Sequence, residues 1–134
     1  MSLAITKSAI DLGIVTRNAE PMVAFYRDVL GLEYTEETPM PGGGSMHRLM
    51  CGDTMVKIVT PGNLSETEAP PGGLAGASGY RYWTVTISNL DEACAACSEA
   101  GFALPIKPLE IRPGIRIAMV EDPDGNWVEL LEVG

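Results

Sequence analysis

An α+β fold of two tandem βαβββ modules is predicted by three observations: an internal repeat, the same order of periodicities in each copy, and glycine stops at equivalent places. Asp11-Leu12-Gly13-Ile14-Val15-Thr16 aligns with Tyr82-Trp83-Thr84-Val85-Thr86-Ile87, and Asn18 then falls over Asn89. Ala19-Glu20-Pro21-Met22 lies over Leu90-Asp91-Glu92-Ala93, and a one-residue gap in the following helix brings Gly31 over Gly101. Asp53 to Val59 matches Gly125 to Leu131. Self-similarity at an offset of about seventy residues marks duplicated supersecondary units. The alignment makes Asp11 equivalent to Tyr82 and Lys57 equivalent to Glu129.

Each element has a local reason. Residues 10 to 16 are apolar enough for a buried strand, and Asn18 stands as a helix N-cap ahead of Glu20 and Pro21, where the missing proline N–H costs nothing. Met22, Val23, Tyr26, Val29 and Leu30 recur at three- and four-residue spacing, which predicts a helix over 19–30 stopped by Gly31. A strand over Glu33 to Thr38, a Pro/Gly loop from Pro39 to Gly44 and two strands joined by a tight Gly52-Asp53 hairpin complete the unit. The second copy predicts a strand at Arg81 to Ser88, then Asn89 or Asp91 as cap and a helix to Ala100. After Gly101 come strands near Phe102 to Pro105, Ile115 to Glu121 and Asn126 to Glu132. Asp122-Pro123-Asp124-Gly125-Asn126 is the strongest turn signal of the chain.

The domain expectation is a single unit over 1–134: a first module at about 8–60, a Gly/Pro/Ala/Ser-rich segment 61–79 that is a linker or a lid over a ligand, and a second module at about 80–134. With 134 residues, 46% of them hydrophobic, the chain is long enough for a sizeable core, which two half-size modules are expected to share. No apolar run reaches the roughly 18 residues of a membrane span and no signal-peptide pattern opens the chain. A soluble protein with no membrane partner is expected. A net charge of −9 argues against nucleic acid, whose affinity for proteins comes from basic residues neutralising phosphates. Three cysteines, an odd number, point to reduced thiols and a cytoplasmic location.

Ala24-Phe25-Tyr26-Arg27-Asp28-Val29-Leu30-Gly31-Leu32 and Glu121-Asp122-Pro123-Asp124-Gly125-Asn126-Trp127-Val128-Glu129-Leu130 resemble the vicinal oxygen chelate superfamily, which includes glyoxalase I, bleomycin-resistance proteins, fosfomycin-resistance enzymes and extradiol dioxygenases. The resemblance covers nearly the whole chain. It implies half-open sheets around a shared cleft, with a divalent metal in the enzymes held by the first and last strand of each module. The corresponding positions are Asp11, Lys57, Tyr82 and Glu129, of which only Glu129 is the residue the metal enzymes usually carry.

Lysine offers three donors and no lone pair, so Lys57 repels a cation where a ligand would stand. An extradiol or fosfomycin type of centre needs two imidazoles and a carboxylate, and the chain owns one histidine, His47. No cofactor is therefore expected. The alternative is a divalent metal on Asp11 and Glu129. Cys94 and Cys97, three apart in a small-residue run, read as a helix-to-sheet contact, and Cys51 as packing. Pairing through Gly52-Asp53 sets Arg48 opposite Lys57, Met50 opposite Met55 and His47 opposite Ile58, so Arg48, Met50, Met55 and Lys57 share one face and His47 the other.

Lys57 and Glu129 are then the candidate catalytic pair, as an internal ion pair that replaces the metal or as groups facing a ligand. Asp11, Arg48, Met50, Met55, Tyr82 and Trp127 are the candidate ligand-binding residues: cations for a carboxylate, phosphate or enolate, a phenol, and apolar or aromatic wall. Two functions follow. One is a metal-free small-molecule binding or sequestration protein of the bleomycin-resistance kind. The other is a lyase or isomerase of the glyoxalase type, with Glu129 or Asp11 as base and Lys57 stabilising an enolate, with or without a metal. A homodimer is expected in either, because half-open sheets leave edges and apolar surface that a second copy covers.

Overall fold

The computed structural model describes residues 1–134, which divide into two compact units, Met1–Glu66 and Thr67–Gly134. In the first, β1 (Asp11–Val15) leads into α1 (Ala19–Ala24), followed by β2 (Glu33–Pro39), β3 (Gly44–Cys51) and β4 (Thr54–Pro61). The sheet order is β1-β4-β3-β2. β1 runs parallel to β4, and the other pairs are antiparallel. Gly52, at φ 57°, makes the β3–β4 turn, and the pairing around it is the predicted one: Arg48 with Lys57, Met50 with Met55, His47 with Ile58.

Alternation then sorts the first sheet into two faces. Leu49, Val56 and Ile58 are fully buried on the helix side, as are Met22, Phe25 and Tyr26 of the helical segment. Phe25 and Tyr26 meet edge to face, with centroids 4.9 Å apart. Burying each such side chain contributes about 1.5–3 kcal/mol, so this layer fixes which face is left for Asp11, Arg48, Met55 and Lys57.

The predicted helix over 19–30 is corrected in its second half: the α-helix ends at Ala24, and Phe25–Val29 is a π-helical turn. The Leu30 N–H donates to the Phe25 carbonyl at 3.0 Å and the Leu32 N–H to that of Tyr26 at 2.9 Å. Its cause is visible in the repeat, because the first copy holds one residue more between its cap and its glycine stop than the second. A π bulge absorbs one extra residue without moving the buried positions before it. Asn18 stands at the predicted N-cap position, but its side chain makes no capping bond. Its own N–H donates to Thr16 Oγ1 at 2.8 Å, and the Thr60 hydroxyl donates to the Thr16 carbonyl at 2.8 Å.

The second unit repeats the plan with β5 (Tyr82–Thr86), α2 (Leu90–Glu99), β6 (Ile106–Arg112), β7 (Ile115–Glu121) and β8 (Trp127–Val133), in the order β5-β8-β7-β6. Leu90, Cys94 and Cys97 of α2 are buried, as are Val120, Val128 and Leu130 of the sheet. The stop at Gly101 is a regular Schellman turn, with the Phe102 N–H donating to the Cys97 carbonyl at 3.0 Å. The helix start is fastened from the sheet: Glu132 Oε2 accepts from the Leu90 N–H at 2.9 Å, and Arg116 bridges Glu132 (3.2 Å) and Asp91 (2.7 Å). Neither predicted cap bonds a backbone N–H of the first turn: Asn89 Nδ2 donates to Glu92 Oε2 at 3.4 Å, and the Asp91 carboxylate accepts from Arg116.

The strand predicted near Phe102 to Pro105 is displaced, since β6 begins at Ile106. β6 is an edge strand that contains Pro108, and its pairing with β7 is irregular at two places. Proline removes a ladder donor, and an edge tolerates that loss. The Asp122 turn forms as predicted: its buried carboxylate accepts from the Asp124 and Asn126 N–H groups, each at 2.9 Å. The predicted linker 61–79 is only partly irregular. β4 runs to Pro61, and Gly73–Ala75 is a 3₁₀ turn. No helix is long and apolar enough to cross a membrane.

Candidate functional site

On the helix-free face of the first sheet, parallel pairing sets Asp11 beside Met55 and Gly13 beside Lys57. Lys57 therefore reaches diagonally across the missing side chain of Gly13, and its Nζ lies 3.3 Å from Asp11 Oδ2. Lys7 approaches the other carboxylate oxygen at 2.6 Å. Hydrogen bonding to Lys7 first, and to Lys57 second, holds the Asp11 carboxyl below the ordinary aspartate range. Arg48 of β3 stands opposite Lys57 of β4, with Met46 and Met50 on the same face. The Arg48 Nε is buried and has no hydrogen-bond partner.

In the second sheet the equivalent positions hold a different chemistry. Tyr82 pairs with Trp127 and Thr84 with Glu129, in the same parallel register as Asp11 with Met55 and Gly13 with Lys57. Val128 and Leu130 point into the α2 layer, which leaves Trp127 and Glu129 on the helix-free face. Where Gly13 leaves a gap, Thr84 fills it, and its hydroxyl donates to Glu129 Oε1 at 2.8 Å. Lys57 and Glu129, the sequence-predicted pair, thus each have a partner within their own module, Asp11 and Thr84.

His47 lies on the helix side, away from Lys57. Its Nδ1 meets the Tyr34 hydroxyl at 2.8 Å and its Nε2 lies 3.7 Å from Glu37, at the rim of a groove of about 620 Å³ lined also by Arg17, Glu20 and Arg27. The thiols are free, and burial raises all three, that of Cys97 to about 11. Sequence reasoning missed Lys7, Thr84 and Arg81. Thr84 was available from the repeat, standing opposite Gly13 in the alignment; Lys7 precedes the repeated segment, and Arg81 acts through a segment with no periodicity.

A divalent cation does not fit these donors. The only carboxylate of the first module at a ligand position is held by two ammonium groups, and one of those, Lys57, stands at a ligand position itself. No cluster of three or more His, Cys, Asp or Glu side chains has the geometry of a metal site.

Residues 9–130 match the family model described as Glyoxalase/Bleomycin resistance protein/Dioxygenase superfamily. No curated protein matches the chain. Among solved structures, a glyoxalase family protein from Bacillus cereus is similar with a TM-score of 0.77 at 16% identity, covering 99% of this chain and 96% of that one. An antibiotic binding protein from a Streptomyces species is similar with a TM-score of 0.70 at 22% identity over 99% and 100% of the two chains. A trypanothione-dependent glyoxalase I from Leishmania major gives 0.72 at 18% identity over 91% and 84%. At these identities the likeness carries the fold.

Proposed function

The chain belongs to the Glyoxalase/Bleomycin resistance protein/Dioxygenase superfamily, and on that premise we propose that it binds and sequesters a small anionic molecule without a metal ion. The observation that carries this reading is the buried Arg48 Nε without an acceptor. An ionised donor buried unsatisfied is costly, and a ligand carboxylate or phosphate oxygen would satisfy it with a charge-assisted bond. Lys57 stands beside it with donors beyond the one facing Asp11, and Met46, Met50 and Met55 supply adaptable apolar surface. Tyr82 and Trp127 stand at the positions of the second module equivalent to Asp11 and Met55. The antibiotic binding protein among the structural neighbours is a precedent for this fold in a binding role.

The alternative, a lyase or isomerase, draws support from Glu129, which accepts from Thr84 and meets no cation of its own module; that makes it a better candidate base than Asp11, whose carboxyl is held down by Lys7 and Lys57. A cytoplasmic homodimer is also part of the proposal, supported by the free thiols and by exposed Ile10 and Val15 at the β1 edge.

Calorimetric titration with a panel of small carboxylates and phosphates tests the reading. Arg48→Met and Lys57→Met should each weaken the best binder by about tenfold or more, the effect of losing a hydrogen bond to a charged group. Unchanged binding in both variants removes the site. Elemental analysis tests the metal clause: one tightly held equivalent that disappears in Asp11→Ala or Glu129→Ala would overturn it.

A further inference from the structure

Arg81 fastens residues 70–73 of the segment before β5. Arg81 donates from Nε to the Gly73 carbonyl at 2.7 Å and from Nη2 to the carbonyls of Pro70 (2.7 Å) and Pro71 (3.3 Å). Because Arg81 immediately precedes Tyr82, the guanidinium ties residues 70–73 to the end of the sheet. Its planar fork suits several acceptors at once, in a way the point charge of a lysine does not. Pro70 and Pro71 also restrict the free chain, so less entropy is lost on docking.

The docked segment lies against Trp127. Gly73 is buried at φ 53°, and a Cβ there would overlap Cδ2, Cε2 and Cε3 of the Trp127 indole. Those three atoms belong to the six-membered ring, so the glycine backbone is seated on the ring face. Gly76 is similarly constrained, since a Cβ there would overlap the Pro71 carbonyl oxygen. Two glycines, two prolines and one arginine therefore build a specific contact where composition alone reads as linker.

We propose that residues 70–76 are a docked strap and that Arg81 is the positioning residue which, through Gly73, fixes the Trp127 indole on the helix-free face of the second module. The value of that indole as a wall for a ligand rests on the proposed binding function. The strap itself does not. A wall held in place before binding loses little further freedom when a ligand arrives, and so selects by shape. The segment is then a built part of the second module, which resolves the choice between linker and lid in favour of neither.

The test uses the full chain carrying Trp83→Phe, which leaves Trp127 as the only tryptophan. Acrylamide quenching reports access to the indole, and cleavage by proteinase K within 67–79 reports release of the strap. Arg81→Met should raise quenching and speed cleavage by about tenfold while far-UV circular dichroism stays unchanged, as expected for local opening. Arg81→Lys should recover part of the protection. Gly73→Ala should also raise quenching, by forcing the strap off the ring, and it serves if Arg81→Met does not fold. Unchanged quenching and cleavage in both variants overturn the proposal. Both strap readouts are taken on the ligand-free protein and the binding readout on the panel anions, so failure of the binding reading is separable from failure of the strap.

Discussion

The two modules share a strand order and a register, and they differ where chemistry is carried. At the same lattice point of the sheet the first places Lys57 across from Gly13 and the second Glu129 across from Thr84. The missing side chain at Gly13 lets Lys57 reach Asp11, whereas Thr84 engages Glu129 directly. The helices differ likewise: one carries a π turn and the other ends in a regular Schellman turn. Both modules set apolar residues against the helix layer, Val56 and Ile58 in one and Val128 and Leu130 in the other, because a one-residue slip there would expose the whole apolar set. The helix-free faces carry the differences.

The sharpest way to break the comparison is deletion in each helix. Removing Ala95 from the middle of α2 rotates Leu90 relative to Cys97, both buried. We expect a loss beyond the roughly 0.5–3 kcal/mol of an ordinary single change. Removing Asp28 from the π turn should stay within that range, since Met22 to Tyr26 keep their places and the widened turn can close to regular helix. Urea denaturation of both variants decides it, and equal losses would mean that the extra residue is not what the π turn accommodates.

A smaller effect is expected where the second helix is fastened. Glu132→Ala removes the acceptor for the Leu90 N–H and one arm of the Arg116 bridge. Loss of a cap costs about 1 kcal/mol. The first module has no equivalent sheet carboxylate on its helix start, so thermal unfolding of Glu132→Ala should show a cost that no single substitution of Asn18 reproduces.

Each module also contains an aspartate held below its ordinary range: Asp11 by Lys7 and then Lys57, Asp91 by Arg116. A depressed folded value contributes stability that is present above the unfolded pKa and lost as pH falls through the folded one. The window therefore lies on the acid side of an ordinary aspartate, and both contributions are fully present at neutral pH. Carboxyl-carbon NMR titration should show Asp11 rising in Lys7→Met and less in Lys57→Met, and Asp91 rising in Arg116→Met. A larger response to Lys57 than to Lys7 would reverse the assigned order. The smallest expected signal is in thiol chemistry. Cys97, pushed up to about 11 by burial, should be the slowest of the three to react with iodoacetamide, and half-buried Cys51 the fastest.

Much of this was legible in the chain. The repeat set the module plan, Gly52-Asp53 set the β3–β4 register, and alternation from that turn put Arg48 with Lys57 and turned His47 away. Cys94 and Cys97 are buried as their small-residue run predicted. These readings succeed because they depend on short-range geometry, a tight turn followed by a period of two. The partners could not be read that way. Lys57 reaches Asp11 because a parallel crossover sets β1 beside β4 and Gly13 leaves a gap; Glu132 caps α2 from 42 residues away; and Arg81 docks Gly73 on Trp127 through carbonyls that carry no sequence identity. The sequence by itself determined the periodicities, the turns and the side chains each face offers. Which of those side chains meet was decided by tertiary structure, because contacts between distant residues depend on where the backbone brings them and not on their spacing in the chain.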